Sequence, residues 1–440
     1  MDIEVLKKME KFLPVSETGR ITHFIEKGQG SWYWDTTGKQ YLDFTSGIFT
    51  NSFGHGDTEL ASAMSQVFGN LGNIHGRHWC KEMEIYEKLF AYLPDEEYRV
   101  IAYGDGGGYT VDRAQVELYY YFQKRPYRMM TFTGGFHGKT QGTKLSISQT
   151  QDSTYFYSET MEEPNCYRCP CQKKRGTCSM ECVALTEKRL EEFGAEVFLF
   201  EPILGANVIV PPKEYWKRLQ QFCTQRGILM VADEVLTGGG RTGTFFASTQ
   251  FGISPDILIT TKGLANGLPL SLLFLKKELT ENEYARREGN YSSTFMGVPA
   301  LLAVLDKVLD KIEEEHILEN VRERGKQLLD GLERLKSNYS IIGDVRGIGL
   351  MVAVEFVDWN ASEEEIGVQG ETIKRSLKVR PTRSSSTTLG RRVFEVAEKN
   401  GLALIHSGNV LRLAPPLNVT AGEIVIGLEK LEKSIQEVIR

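Results

Sequence analysis

The sequence predicts an α/β protein built on an open, mostly parallel sheet. Short apolar runs rich in β-formers alternate with segments whose apolar residues recur every three or four positions, as strands joined by crossover helices do. Two of those runs, Ile228–Ala232 and Asp256–Thr261, are followed by charges that a strand interior excludes, Asp233 and Lys262. Ligands of such sheets collect just beyond the carboxyl ends of the strands, so the acid and the amine are expected to face one bound group. The 440 residues, 41% hydrophobic and 25% charged, leave room for a large core and two domains.

An aldehyde cofactor of the pyridoxal phosphate type needs an amine that can bond the aldehyde and a carboxylate that keeps the pyridine nitrogen protonated. Lys262 and Asp233 answer those two needs, although a salt bridge capping the sheet edge would use the same pair. The surrounding letters favour the chemistry. DEVLTGGGRTG followed by PDILITTKGLANGLPL resembles the signature of the class III (ω-amino acid type) aminotransferases, pyridoxal phosphate enzymes of fold type I. The resemblance implies a mostly parallel seven-stranded sheet in a large domain, residues 57–315. A smaller α+β domain would come from residues 1–56 and 316–440. It also implies a Schiff base on Lys262, Asp233 at the ring nitrogen, and a homodimer with shared active sites.

Taken in order, residues 1–30 read as a polar lead, and Ser31–Phe44 as a hairpin around a Thr-Thr-Gly-Lys turn. The continuation TSGIFTNSFGHGD resembles the family stretch that passes the active site, with His55 either a turn residue or a functional one. Helical spacing from Asp57 to Leu93 breaks at Gly69–Gly76. A strand, Arg99–Tyr103, then meets GDGGGYTVD, where a glycine run opens a helix. Bare amides at a helix start suit a phosphate, though a flexible turn uses the same letters. The family reads SGTEAVE here, so its hydroxyls are replaced by Gly106 and Gly108, and the backbone of Gly107 and Gly108 is left to hold the phosphate. Tyr109 brings a bulky ring to the substrate side. After strand Arg128–Thr133, GGFHGKT resembles the family's G-x-[YF]-HG: Phe136 is expected to stack on the cofactor ring, with His137 beside it.

Residues 150–182 interrupt the alternation. Cys166, Cys169, Cys171, Cys178 and Cys182 crowd into this segment, and the expectation is an ordered surface loop without metal, a tetrahedral thiolate site being the alternative. Helix Val183–Phe193 and strand Val197–Ile203 lead to Glu201, which the resemblance places on the substrate side. Helix Tyr215–Arg226 returns the chain to the strand ending on Asp233. By the resemblance Val235 packs on the ring face opposite Phe136. Leu236 stands where the family usually carries a glutamine, and Arg241 braces the loop.

YSSTFMGVP resembles the family's G-[SH]-T-[FY]-x-GNP, whose threonine reaches the cofactor phosphate of the partner subunit. Thr294 takes that place. A helical stretch from Leu301 to Leu335 looks like the bridge to the small domain. IIGDVRGIGLMVAVEF alternates as half-buried strand around glycine turns. A Ser/Thr/Arg loop, Arg380–Thr388, precedes helix Leu389–Asn400 and LALIHSGNVLRLAPPL, where Arg412 matches the arginine that grips a substrate carboxylate.

The expected function is ping-pong transfer of an amino group, from glutamate held by Arg412, to an aldehyde or ketone acceptor of ω-amine, diamine or amino-sugar type. A racemase or epimerase of the same family, and a non-catalytic scaffold, stay open. A net charge of −6 gives no electrostatic reason for a nucleic acid or membrane partner. No run approaches the roughly 18 apolar residues of a membrane span. A charged start and seven unevenly placed cysteines make the cytoplasm the expected location.

Overall fold

Asp35 closes the hairpin expected over Ser31–Phe44 by chemistry local to its turn. Its Oδ1 accepts from the amides of Thr37 at 2.9 Å and Lys39 at 3.0 Å, while Gly38 takes the positive φ of 83° that the turn requires. Strands β1 (Ile25–Gln29), β2 (Trp32–Asp35) and β3 (Gln40–Asp43) thus form an antiparallel ribbon. The computed structural model describes residues 9, 11–13, 23–75, 77–147, 154–174, 177–281, 292–357 and 388–440. Most of the expected polar lead lies outside them.

The central sheet has seven strands: β4 (Tyr98–Tyr103), β5 (Tyr127–Phe132), β6 (Phe156–Met161), β7 (Val197–Phe200), β8 (Leu229–Asp233), β9 (Ile257–Thr260) and β10 (Ser271–Lys276). Their order is β4-β10-β9-β8-β7-β5-β6. Only β10 runs against its neighbours. VFLF of β7 and ILIT of β9 are buried at every position, as strands covered on both faces should be. Strand β6 lies inside residues 150–182, where the sequence predicts a break in the alternation, and pairs in parallel with β5 at the edge. An edge strand with one covered face carries the weaker pattern FYSETM.

Helices α1 (Thr58–Phe68), α2 (Glu82–Phe90), α3 (Gly107–Tyr121), α4 (Glu181–Phe193), α5 (Tyr215–Arg226), α6 (Pro299–Glu314) and α7 (Ile317–Asn338) follow the strands, with shorter turns between. α4 and α5 stop at Gly194 and Gly227, both left-handed. The expected single helix over Leu301–Leu335 is two. His316 has a φ of 50° and breaks the hydrogen-bond ladder, yet the apolar stripe runs on through Val308, Ile312, Val321, Leu328 and Leu332.

The C-terminal part adds β11 (Ile342–Ile348), β12 (Met351–Phe356), α8 (Leu389–Lys399), β13 (Leu402–Ala403), β14 (Ile405–Ser407), β15 (Val410–Leu413) and α9 (Ala421–Ile439). Strands β11-β12-β15-β14 form an antiparallel sheet, and β13 pairs in parallel with β3. The loop expected at Arg380–Thr388 lies outside the described residues except for Thr388, whose hydroxyl caps α8. A capping box of Thr420 and Glu423 starts α9. Among the described residues no helix is long and apolar enough to cross a membrane, no disulfide forms, and no three His, Cys, Asp or Glu side chains gather as metal ligands.

Candidate active site

Neighbouring parallel strands bring the acid and the amine together. Asp233 ends β8, opposite Ile259 of β9, and Lys262 follows β9 by two residues. Lys262 opens a short 3₁₀ turn with a φ of 46°, a left-handed conformation that a long side chain adopts only where its surroundings impose it. Burial makes its ammonium costly and pulls the amine down to about 8, against the opposing pull of Asp233 and Glu201.

Asp233 is fixed on both oxygens. Oδ1 accepts from the amide of Val235 at 3.1 Å, and Oδ2 meets Nδ1 of His137 at 2.8 Å. The other ring nitrogen of His137 lies 3.0 Å from the Thr131 hydroxyl on β5. The histidine is therefore clamped between β5 and β8, its Nδ1–H donated to the carboxylate.

Glu201 follows β7 and is buried beneath the cleft. Its two oxygens accept from the amides of Phe136 at 2.9 Å and Gly205 at 2.8 Å. Burial raises the carboxyl to about 7 despite these donors, and nearby Asp233 adds to the rise. Gly205 carries a second bond, its carbonyl accepting from Nη1 of Arg412 at 2.8 Å. A Cβ on Gly205 would fall 1.9 Å from Cδ1 of Leu236, so the leucine occupies the space that a side chain would need.

The cleft encloses about 530 Å³, and Phe136, Lys262, Leu236 and Arg412 are among its walls. Ile48, Lys139, Ala206, His406, Ser407 and Gly408 also line it, positions the sequence did not single out. Ile48 belongs to a left-handed turn in which Ser46, Gly47, Ile48 and Phe49 have φ of 46°, 57°, 62° and 67°. Asp43 and the Ser46 hydroxyl, bonded to the Ala414 carbonyl at 2.6 Å, hold that turn in place. Glu234 was also passed over. Buried completely, it takes the amides of Ala247 and Ser248 at 2.6 and 2.7 Å and so anchors the loop after Asp233. Arg241 of that loop is buried against the carbonyls of Leu350 and Pro415, a bracing position.

The glycine run opens α3 with no side-chain cap, leaving first-turn amides available. A Cβ on Gly107 would sit 2.7 Å from Val235 and 2.9 Å from Thr261, so that backbone is pressed against the two strand ends. These are features a pyridoxal phosphate needs: bare amides for its phosphate, an amine and a clamped acid, and an aromatic wall at Phe136. The residues fit the group. Tyr109 packs edge-on against Tyr103, ring centroids 5.5 Å apart. Thr294 is exposed on the segment that pairs with the end of β4, its carbonyl accepting from Asn73.

Comparison with known proteins agrees with this geometry. A sequence profile of the family Aminotransferase class-III matches residues 15–435. The acetylornithine aminotransferase of Synechocystis is 31% identical over 96% of this chain and 91% of its own length. The leucine/methionine racemase of Thermococcus litoralis is 29% identical over 99% of this chain and 96% of its own. Among solved structures, an amine transaminase from an uncultivated Pseudomonas species, in its pyridoxal phosphate-bound form, superposes with a TM-score of 0.84. The two are 25% identical, with 97% of each chain covered.

Proposed function

The chain belongs to the class III aminotransferase family, whose cofactor is pyridoxal phosphate, and from that premise we propose that it moves an amino group from glutamate to an aldehyde or ketone acceptor of ω-amine, diamine or amino-sugar type. The observation that carries the proposal is the placement of Lys262 beside the clamped Asp233 at adjacent strand ends. When bound, pyridoxal phosphate supplies an aldehyde that amines condense with and a ring that draws electrons from the substrate carbon.

The protein supplies the rest. Lys262 would hold the cofactor covalently, and its amine, when free, would move the proton at the substrate carbon. Its depressed basicity leaves it able to accept and return that proton near neutral pH. Asp233, oriented by His137 and the Val235 amide, would offset positive charge on the ring nitrogen. The amides of Gly107 and Gly108 would hold the phosphate, and Phe136 and Val235 would exclude water from the ring faces. Arg412 takes the donor carboxylate in two parallel hydrogen bonds, and Glu201 shapes the substrate side.

Reduction of the holoenzyme with borohydride should fix the cofactor covalently, and peptide mapping should find it on Lys262. In a separate sample, unreduced holoenzyme given glutamate should yield 2-oxoglutarate in stoichiometric amount without added acceptor. A label elsewhere, or no keto acid, removes the proposal. Racemisation is the second reading, supported by the similarity to the Thermococcus racemase. It predicts the mirror-image amino acid with no keto-acid requirement.

The same proposal divides the chain into a large domain, 57–315, and a small one from both ends. It makes the active form a cytoplasmic homodimer whose partner delivers Thr294. The exposed position of that threonine supports this, as does the exposed cleft of about 430 Å³ beside β4, lined by Met83, Tyr86 and Phe90.

A further inference from the structure

Two arginines rise from one cross-strand row of the C-terminal sheet. Arg346 on β11 lies opposite Ala353 on β12, and Ala353 lies opposite Arg412 on β15. Directly opposed residues share a face, so the small Ala353 separates two guanidinium groups that reach the same way. They reach one element, the hairpin in which Leu204 and Ile209 exchange both backbone bonds at 3.1 Å. Arg412 donates to the Gly205 carbonyl at 2.8 Å. Arg346 forks onto the Asn207 carbonyl, Nε at 3.0 Å and Nη2 at 2.8 Å.

The fork is itself held. Nη1 of Arg346 meets Asp344 at 2.9 Å and Glu355 at 2.8 Å, and these three side chains are only 4–6% exposed. Glu355 is gripped again by Arg168 from the cysteine-bearing segment, through Nε at 2.9 Å. The hairpin needs such a grip. The peptide whose carbonyl Arg346 takes precedes Val208, a fully buried β-branched residue with a φ of 51°, which persists only where contacts over-determine it. The tip of the same hairpin sets Gly205, which bonds both Glu201 and Arg412, and Ala206, which lines the cleft.

We propose that Arg346 is a positioning residue for the substrate carboxylate site: by clamping Asn207 it fixes the hairpin that aims Arg412. The inference rests on the reading of Arg412 given above. A lysine cannot reproduce a fork on one carbonyl together with a contact to two acids, so both R346M and R346K should release the hairpin.

The holoenzyme carries the test. In R346M and R346K, hydrogen exchange at residues 204–209 should rise about tenfold while the strands of the central sheet keep their protection. The KM for glutamate should rise about tenfold with kcat changed less than twofold. Unchanged exchange at the hairpin overturns the proposal, as does a uniform rise across the protein with kcat falling alongside. R412M separates the two readings. A raised KM for glutamate with R412M and not with R346M overturns the proposal alone. If R412M leaves KM unchanged, the carboxylate role of Arg412 falls, and with it the proposal as stated, whatever the exchange shows.

Discussion

His137 presents Nδ1 to Oδ2 of Asp233 at 2.8 Å, and neither side chain is more than 2% exposed. A buried carboxylate in that setting has its orientation set by a neighbouring ring. D233N keeps the shape and removes the charge, and should lower kcat by about 10²–10³-fold. H137F leaves the acid in place but unoriented, and by analogy with other outer partners of an active group should cost about 10–100-fold. Steady-state rates with cofactor in excess measure both, and equal losses would contradict the division of roles.

Lys262 gives a pH prediction. The amine captures cofactor only when neutral, and burial moves its titration from the ordinary 10.5 down to about 8. Capture of pyridoxal phosphate by apoenzyme should therefore quicken as pH rises and level off above about 8. Stopped-flow absorbance from pH 6 to 10 gives the midpoint. A rate still climbing at pH 10 would show an unperturbed lysine.

The contact between Gly205 and Leu236 is tight enough to test by paired substitution. G205A places a methyl group 1.9 Å from Cδ1 of the leucine and should destabilise the fold by about 1–3 kcal/mol. L236A removes the nearer obstacle and leaves Glu201 Oε2 at 2.9 Å, so the double variant should recover part of the loss in urea unfolding. Additive losses would mean that Glu201, rather than the leucine, rejects the methyl group.

Strand ends were the most legible part of the sequence, because Asp233 and Lys262 are charges where strands do not want them. Buried strands such as ILIT announced themselves by continuous apolar character. What escaped has a common cause. Ile48 is apolar and His406 sits in a turn-rich stretch, and both reach the cleft only because β3, β13 and β15 fold together across the ends of the chain. Glu234 was hidden by its neighbour, since nothing local says which of two adjacent acids faces the ligand. The helix break at His316 was missed because the apolar stripe continues through it. Strand β6 was masked by the one-sided burial of an edge.

The glycine run separates two kinds of glycine. Gly106 has nothing within 4 Å of a would-be Cβ, and Gly108 only ordinary contacts from 3.5 Å, whereas Gly107 is pressed against Val235. G106S and G108T should therefore fold normally and tighten pyridoxal phosphate, since each adds a hydroxyl beside free amides. G107A should weaken cofactor retention. Equilibrium dialysis of the three apoenzymes ranks them, and a G107A variant that binds as tightly as its parent would refute the packing argument.

The pairing of Leu402 with Leu42, and the bond from the Trp32 indole to Glu423 at 2.9 Å, set an order on the protein's birth. During synthesis the seven strands of the central sheet have all emerged by Lys276, and their pairings can form while translation continues. The ribbon of β1 to β3 must wait for more than three hundred further residues before its outer neighbour exists. Until then the left-handed turn at Ser46 lacks the Ala414 carbonyl that secures it. The cleft is thus the last part of the molecule to be finished, and a nascent chain that already has its core still has an open wall where Ile48 belongs.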